Sequence, residues 1–185
     1  MISNQENKVF VDKLAVFDLD GTLWEKNSHI DLLNQYYHPL RFDGLPAKIF
    51  RKSFANAYHY LIHSFYQRIP KEIVSKYQPK FRDSALQLLW EKRGEGYLPI
   101  IISSAPKELI FSAAQRLQVS WMRAEIGCKE RDLLLYFSYN RLFVCTDNQT
   151  DIRLLDLADE KVIYVTIKTK PFFKERYPEA LMMDS

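Results

Sequence analysis

The sequence predicts an α/β fold: a mostly parallel β-sheet with flanking helices, interrupted by a small all-helical insertion. Three observations carry this expectation. Short apolar runs end in polar residues, helical stretches separate those runs, and one long segment has helical periodicity without any strand-like run. The first run, Lys13-Leu-Ala-Val-Phe17, ends in carboxylates and Gly21, as a buried parallel strand does when it opens into a loop. The stretch from about Glu25 to Pro79 is different in kind. It is rich in aromatics, and Phe50, Phe54, Tyr58, Leu61 and Phe65 recur at spacings of three and four, which predicts one shared helix face. This segment reads as a helical cap inserted into the core, so that residues 1–24 and 81–185 form the core and residues 25–80 the cap.

After the insertion, Phe81 to Arg93 predicts a helix closed by Gly94 and Gly96. A second strand follows at Leu98-Pro-Ile-Ile-Ile102, then a helix over Pro106 to Leu117 with proline at its start. Val119 to Ile126 is a less regular fifth strand candidate, and Lys129 to Phe137 a helix. Arg141-Leu-Phe-Val-Cys145 and Lys161-Val-Ile-Tyr-Val165 complete the strands. Between them Thr150 to Ala158 carries apolar residues at Ile152, Leu155 and Leu157, as a helix packed on one side would. Strands alternating with helices imply βαβ units, and ligands of such sheets sit beyond the carboxyl ends of the strands. Asp18, Asp20, Ser103, Ser104, Thr146 and Asp147 all fall where a run has just ended.

Composition narrows the function classes. With 185 residues, 47% of them hydrophobic and 14% aromatic, the chain can bury a sizeable core, which excludes a disordered chain. Lys and Arg number 26 against 23 Asp and Glu, a net charge of +3 without a long like-charge run, so no nucleic-acid partner is expected. Met1 to Lys8 is polar, and no segment approaches the roughly 20 apolar residues of a membrane span, so a cytoplasmic location is expected. Cys128 and Cys145 form no CxxC pair and suit buried thiols in a reducing compartment. The oligomeric state is left open.

Chemistry concentrates at Val16-Phe-Asp-Leu-Asp-Gly-Thr-Leu23, where Asp18 and Asp20 leave a strand together and Gly21 follows. A calcium loop of the EF-hand type would need glycine at the sixth position and glutamate at the twelfth; the chain has Leu23 and His29 there, and a strand where a helix should precede. The alternative is phosphoryl chemistry. A carboxylate held by Mg²⁺ can attack a phosphoryl group although both are anionic, because the metal neutralises the repulsion. A second carboxylate can then protonate the leaving oxygen and later activate water, and Gly21 lets backbone N–H groups approach the phosphate.

Asp18-Leu-Asp-Gly-Thr22 resembles the first motif of the haloacid dehalogenase superfamily of phosphohydrolases, and the other motifs follow in order. Ile100-Ile-Ile-Ser-Ser-Ala-Pro106 resembles the second, whose strand-end hydroxyl binds phosphate, a role assigned to Ser103 with Ser104 as the neighbouring alternative. Lys129 is the candidate for the motif lysine that steadies nucleophile and phosphate, ahead of Arg131 and Arg123. Val144-Cys-Thr-Asp-Asn-Gln-Thr-Asp151 resembles the fourth motif, although Thr146 stands where relatives usually have Gly. Leu155-Asp-Leu-Ala-Asp-Glu-Lys-Val-Ile-Tyr-Val165 matches the family's approach to its last core strand.

The resemblance implies a Rossmann-like core of the HAD type and an enzyme acting on a small phosphorylated metabolite. It implies Asp18 as nucleophile, Asp20 as acid and base, and Gly21, Thr22, Ser103, Ser104 and Lys129 on the phosphate. Mg²⁺ would be held by Asp18, Asp20, Asp147 and Asp151, with Asp147 a direct ligand and Asp151 supporting it. The inserted cap makes the chain similar to the phosphoserine-phosphatase-like branch. Asn27, however, stands where phosphoserine phosphatases place the Glu that reads the substrate amine, which argues against phosphoserine. Asn27 and His29 remain candidate substrate contacts. A phosphomutase, or a binding protein that kept the fold without turnover, are the alternatives. In the cap, His59 and His63 have a zinc-compatible spacing but no third ligand, Lys48, Arg51 and Lys52 read as a solvated face, and the aromatic stripe as bundle packing.

Overall fold

Apolar runs that are buried on both faces build the centre of this protein. In chain order the elements are β1 (Val9–Phe17), α1 (Ser28–Tyr36), α2 (Leu45–Ser53), α3 (Ala55–Gln67), α4 (Lys71–Lys76), α5 (Asp83–Gly94), β2 (Leu98–Ser103), α6 (Lys107–Leu117), β3 (Ser120–Arg123), α7 (Lys129–Tyr136), β4 (Phe137–Thr146), α8 (Ile152–Leu157), β5 (Glu160–Val165), α9 (Lys170–Arg176) and β6 (Leu181–Asp184). The computed structural model describes residues 8–185. Residues 1–7 and the side chains of Lys48, Phe50, Arg51, Ala55, Asn56 and His59 lie outside the described set. The polar N-terminal segment up to Asn7, His59 of the His59–His63 pair, the Lys48 and Arg51 charges and the Phe50 end of the aromatic stripe fall there.

The six strands form one parallel sheet in the order β3-β2-β1-β4-β5-β6. In this arrangement the chain starts at the middle, winds outward to β3, and then restarts beside β1 at β4. The crevice between the carboxyl ends of β1 and β4 is therefore the topological switch point, the place where ligands of such sheets bind. Register fixes it: Phe17 pairs with Cys145, and the Asp18 N–H donates to the Cys145 carbonyl at 2.9 Å. Leu14 to Phe17, Ile100 to Ile102 and Leu142 to Cys145 are almost fully buried, because helices cover both faces of the sheet.

The differences from the sequence reading have physical causes. β1 and β4 are longer than their apolar runs, since Val9 pairs with Phe137 and Lys13 with Arg141 along half-exposed segments. β3 occupies only the first part of the stretch assigned to it, and β6 and α9 were not anticipated. β6 is a short, partly exposed edge strand whose pairing with Val162 to Val165 supplies what its composition lacks. α5 starts two residues late because Phe81 is used in an antiparallel bridge to Trp24.

The helices α1 to α4 fill the stretch between Trp24 and Phe81. Their aromatic stripe is displaced from the expected one. The helix breaks between Ser53 and Ala55, with Phe54 in a non-helical conformation (φ −140°, ψ 57°), so Phe54 and Leu61 face outward, 61% and 41% exposed. The buried face keeps Tyr58 of the expected stripe, with Phe65 partly buried against it, and adds Ile62, Tyr66 and Ile69, in one apolar cluster with Leu32 and Leu33 of α1, Val74 of α4 and Leu109 and Ile110 of α6. These helices thus share one apolar cluster with a face of the sheet. Among the described residues, no helix is long and apolar enough to cross a membrane.

Candidate active site

The end of β1 delivers Asp18 into the crevice, 5% exposed, with its Oδ1 accepting from the Leu19 N–H at 2.8 Å. Lys129, the first residue of α7, is also buried, and its ammonium lies 2.8 Å from Asp18 Oδ1 and 2.7 Å from Asp151 Oδ2. Thr146, at the end of β4, donates from Oγ1 to the same Asp151 oxygen at 2.7 Å. Three chain segments far apart in sequence are therefore tied together by one buried ammonium between two carboxylates. Thr146 takes part in that network through its hydroxyl, which a glycine could not supply.

Asp147 follows Thr146 and faces the loop after β1. Thr22, fully buried, donates from Oγ1 to Asp147 Oδ1 at 3.3 Å. Gly21 has φ +78°, and a Cβ built there would lie 2.1 Å from Asp147 Oδ2, so both the backbone conformation and the close approach demand glycine. Gly21→Ala is expected to destabilise the fold by about 1–3 kcal/mol and to displace Asp147. Gly96 is the control: its φ of +86° imposes the same conformational cost, but nothing lies within 4 Å of an added Cβ. Thermal melts in which Gly21→Ala costs no more than Gly96→Ala would show that the Asp147 contact is unimportant.

Asp20 is turned toward the insertion, its Oδ1 accepting from the Ser28 N–H at 2.9 Å. Ser103 ends β2, one strand over from Asp18, 2% exposed, with Oγ accepting from the Ala105 N–H at 3.3 Å. Ser104 beside it is half-buried. Asn27 and His29 flank Ser28 at the start of α1. The Asn27 side chain caps α1 by accepting from the Ile30 N–H at 3.0 Å, and the His29 ring stands edge-on to Tyr66 at 4.8 Å.

Burial raises the carboxylates. It pushes Asp20 up to about 6 against the hydrogen bonds from Ser28, and Asp147 up to about 7, with the charge of Asp18 adding to the effect. Asp151 is likewise held above the usual carboxylate range by burial, although Lys129 pulls the other way. Burial works against the Lys129 ammonium, but Asp18 and Asp151 outweigh it and hold the lysine above its ordinary value. The cluster has an excess of negative charge that one lysine does not balance.

That excess bears on a cation. Asp18 and Asp147 lie at adjacent strand ends, and the buried Oδ1 of Asp151 has no hydrogen-bond partner among the described residues. The four-carboxylate ligand set is nevertheless divided, because Asp151 Oδ2 is engaged by Lys129 and Thr146 and Asp20 Oδ1 by Ser28. Among the described residues no three of His, Cys, Asp or Glu converge into a complete metal site. The donors fit a hard cation that takes few protein carboxylates and completes its shell with backbone oxygen, water and ligand phosphate, as Mg²⁺ does.

One residue was missed in the sequence. Arg82 donates from Nε to the Thr22 carbonyl and from Nη2 to the Gly21 carbonyl, both at 3.2 Å. Its signal would have been a cation just before α5, next to the Phe81 bridge.

The profile of the haloacid dehalogenase-like hydrolases matches residues 15–156, and the chain belongs to that family. No curated protein matches it in sequence. Among solved structures, a protein of unknown function from Bordetella pertussis Tohama I superposes with a TM-score of 0.67 at 13% identity, over 94% of this chain and 99% of that one. A HAD family hydrolase from Salmonella enterica serovar Typhi gives 0.66 at 14% identity, over 96% of this chain and 68% of that one. Phosphoserine phosphatase in its apo form gives 0.64 at 14% identity, over 92% and 93%. At these identities the likeness establishes the fold.

Proposed function

We propose that the protein is a Mg²⁺-dependent phosphatase that hydrolyses a small phosphomonoester through an aspartyl-phosphate on Asp18. The observation that carries the reading is the buried Lys129 ammonium between Asp18 and Asp151, at the strand-end crevice where Asp147 also lies. The family's hydrolase chemistry and the fold shared with phosphoserine phosphatase support it. Asp18, a carboxylate held in place by the Leu19 N–H and by Lys129, attacks phosphorus in line with the leaving oxygen. The bond from phosphorus to that oxygen breaks, and Asp20 gives the departing alkoxide its proton. Asp20 then takes a proton from water as the water oxygen attacks phosphorus, which releases inorganic phosphate and restores the Asp18 carboxylate. Ser103, Ser104 and the N–H groups of the Gly21–Thr22 loop would bind the phosphate oxygens, and Lys129 would balance their charge.

Asp18 and Asp147 would hold the metal, with Asp151 behind them. Bound there, Mg²⁺ supplies charge neutralisation between the Asp18 carboxylate and the incoming phosphoryl group. The cap would exclude bulk water and select the leaving group. Asn27 argues for a substrate other than phosphoserine, and its engagement as a helix cap leaves the amide oxygen committed. The two cysteines form no disulfide, which accords with a reducing, cytoplasmic setting.

Phosphate release from a panel of phosphorylated metabolites, with Mg²⁺ or with EDTA, tests the proposal. At least one compound is expected to be hydrolysed, with the rate falling to background in EDTA and returning when Mg²⁺ is restored. A reaction that needs a bisphosphate activator and returns an isomer would make the protein a phosphomutase. Mg²⁺ binding without release from any compound would make it a binding protein.

A further inference from the structure

Arg82 grips the catalytic loop from outside the set of residues to which the proposed mechanism gives a role. The outgoing and returning segments of the insertion lie side by side, since Trp24 and Phe81 form an antiparallel bridge and the Arg82 N–H donates to the Leu23 carbonyl at 2.8 Å. From that junction the side chain turns back. Its guanidinium lies over the Tyr164 ring at 4.5 Å from the centroid, and Nη2 is also 3.4 Å from Ser185 Oγ. Its Nε and Nη2 then reach the carbonyls of Thr22 and Gly21. A planar fork of donors suits two successive carbonyls in a way that a single ammonium does not.

The two peptide groups held in this way need holding. The carbonyl of Gly21 and the N–H of Thr22 belong to one planar unit, as do the carbonyl of Thr22 and the N–H of Leu23, so fixing each C=O fixes the opposite N–H. The loop's own bonds at those N–H groups are long: Thr22 N–H to the Leu19 carbonyl and Leu23 N–H to the Asp18 carbonyl are both 3.4 Å. By contrast, the next N–H, that of Trp24, makes a 2.8 Å bond. Thr22 is also the residue whose hydroxyl reaches Asp147.

We propose that Arg82 is a positioning residue, which orients the Gly21–Thr22 and Thr22–Leu23 peptides and, through Thr22, sets Asp147 against the phosphate-binding loop. The inference rests on the phosphatase reading for its kinetic consequence, but not for its structural one. The test therefore has two arms on the full chain. In amide hydrogen exchange, Arg82→Met is expected to speed exchange at Thr22 and Leu23 about 10-fold or more. In phosphate release, the same variant is expected to lower kcat about 10- to 100-fold with KM changed less than about twofold. Arg82→Lys keeps the charge but offers one bond, and is expected to fall between Met and wild type in both arms. It also serves if Arg82→Met does not fold.

Arg116→Met is the control. Arg116 donates to the Pro79 carbonyl and lies over the Phe81 ring, so its loss loosens the same return segment without touching the loop carbonyls. It is expected to leave both readouts at wild-type values. Unchanged exchange at Thr22 and Leu23 in the Arg82 variants overturns the proposal. So does a lower Tm with kcat retained, or a raised KM with kcat retained, which would place Arg82 on the substrate. A wild type that releases no phosphate defeats the phosphatase reading alone, and the exchange arm still decides Arg82.

Discussion

Asp18→Asn is expected to abolish phosphate release, by about 10⁴-fold or more, while Tm falls by no more than about 10 °C and the chain still folds. The two effects separate because of what Asp18 touches. Its Oδ1 accepts from the Leu19 N–H and faces the Lys129 ammonium, and an amide oxygen can still accept both contacts. Lys129 keeps a full ion pair with Asp151, so no buried cation is left alone. The stability cost is then of the order of one charged hydrogen bond, about 1–3 kcal/mol. The chemical loss is total, because an amide is not a nucleophile toward phosphorus. An acid-quenched reaction should yield phosphoenzyme from wild type and none from the variant. Retention of more than about 1% of the wild-type rate would place the nucleophile elsewhere.

The second large effect is expected at Lys129, and it falls on stability as well as activity. Lys129→Met fills a similar volume but leaves Asp18 and Asp151 buried next to each other with no cation between them. Removing one member of a buried ion pair costs about 3–5 kcal/mol, a large share of the stability of any domain of this size. Thr146 would still donate to Asp151 Oδ2, which softens the loss without replacing the charge. Phosphate release is expected to fall about 10³-fold, because the cation facing the transferred phosphoryl group is gone. The double variant Lys129→Met with Asp151→Asn separates the two roles. It should recover much of the Tm while activity stays low. Recovery of activity together with Tm would mean that Lys129 serves only to neutralise Asp151.

The same cluster shows what could be read along the chain and what could not. Asp18, Asp20 and Asp147 were legible because each follows an apolar run, and a run that is buried on both faces needs no partner to be recognised as a strand. Lys129 was legible only through resemblance, since nothing in its neighbourhood distinguishes it from a surface lysine. Its pairing with Asp151 joins residues 22 apart in sequence, and its pairing with Asp18 joins the first strand to the seventh helix. The carboxylates read as one ligand set, but the fold gives them different partners: Ser28 for Asp20, Lys129 and Thr146 for Asp151, Thr22 for Asp147. Of the two candidate substrate contacts, Asn27 also caps α1 and His29 also stands edge-on to Tyr66.

By itself the sequence determined the α/β class, the central strands and the helical nature of the stretch between Trp24 and Phe81. It did so because hydrophobic periodicity and strand-end polarity are local properties that survive whatever the rest of the chain does. Only the tertiary structure decided the extensions of β1 and β4, the edge strand β6, the break at Phe54 and the face of α3 that is buried. These depend on which segments lie alongside, and half-exposed residues form strands only when a neighbour offers its backbone groups. Arg82 belongs with them, for its two acceptors are main-chain carbonyls some sixty residues earlier, separated by 61 and 60 positions. A carbonyl carries no sequence signature, so the contact exists only once folding has brought the two ends of the insertion together.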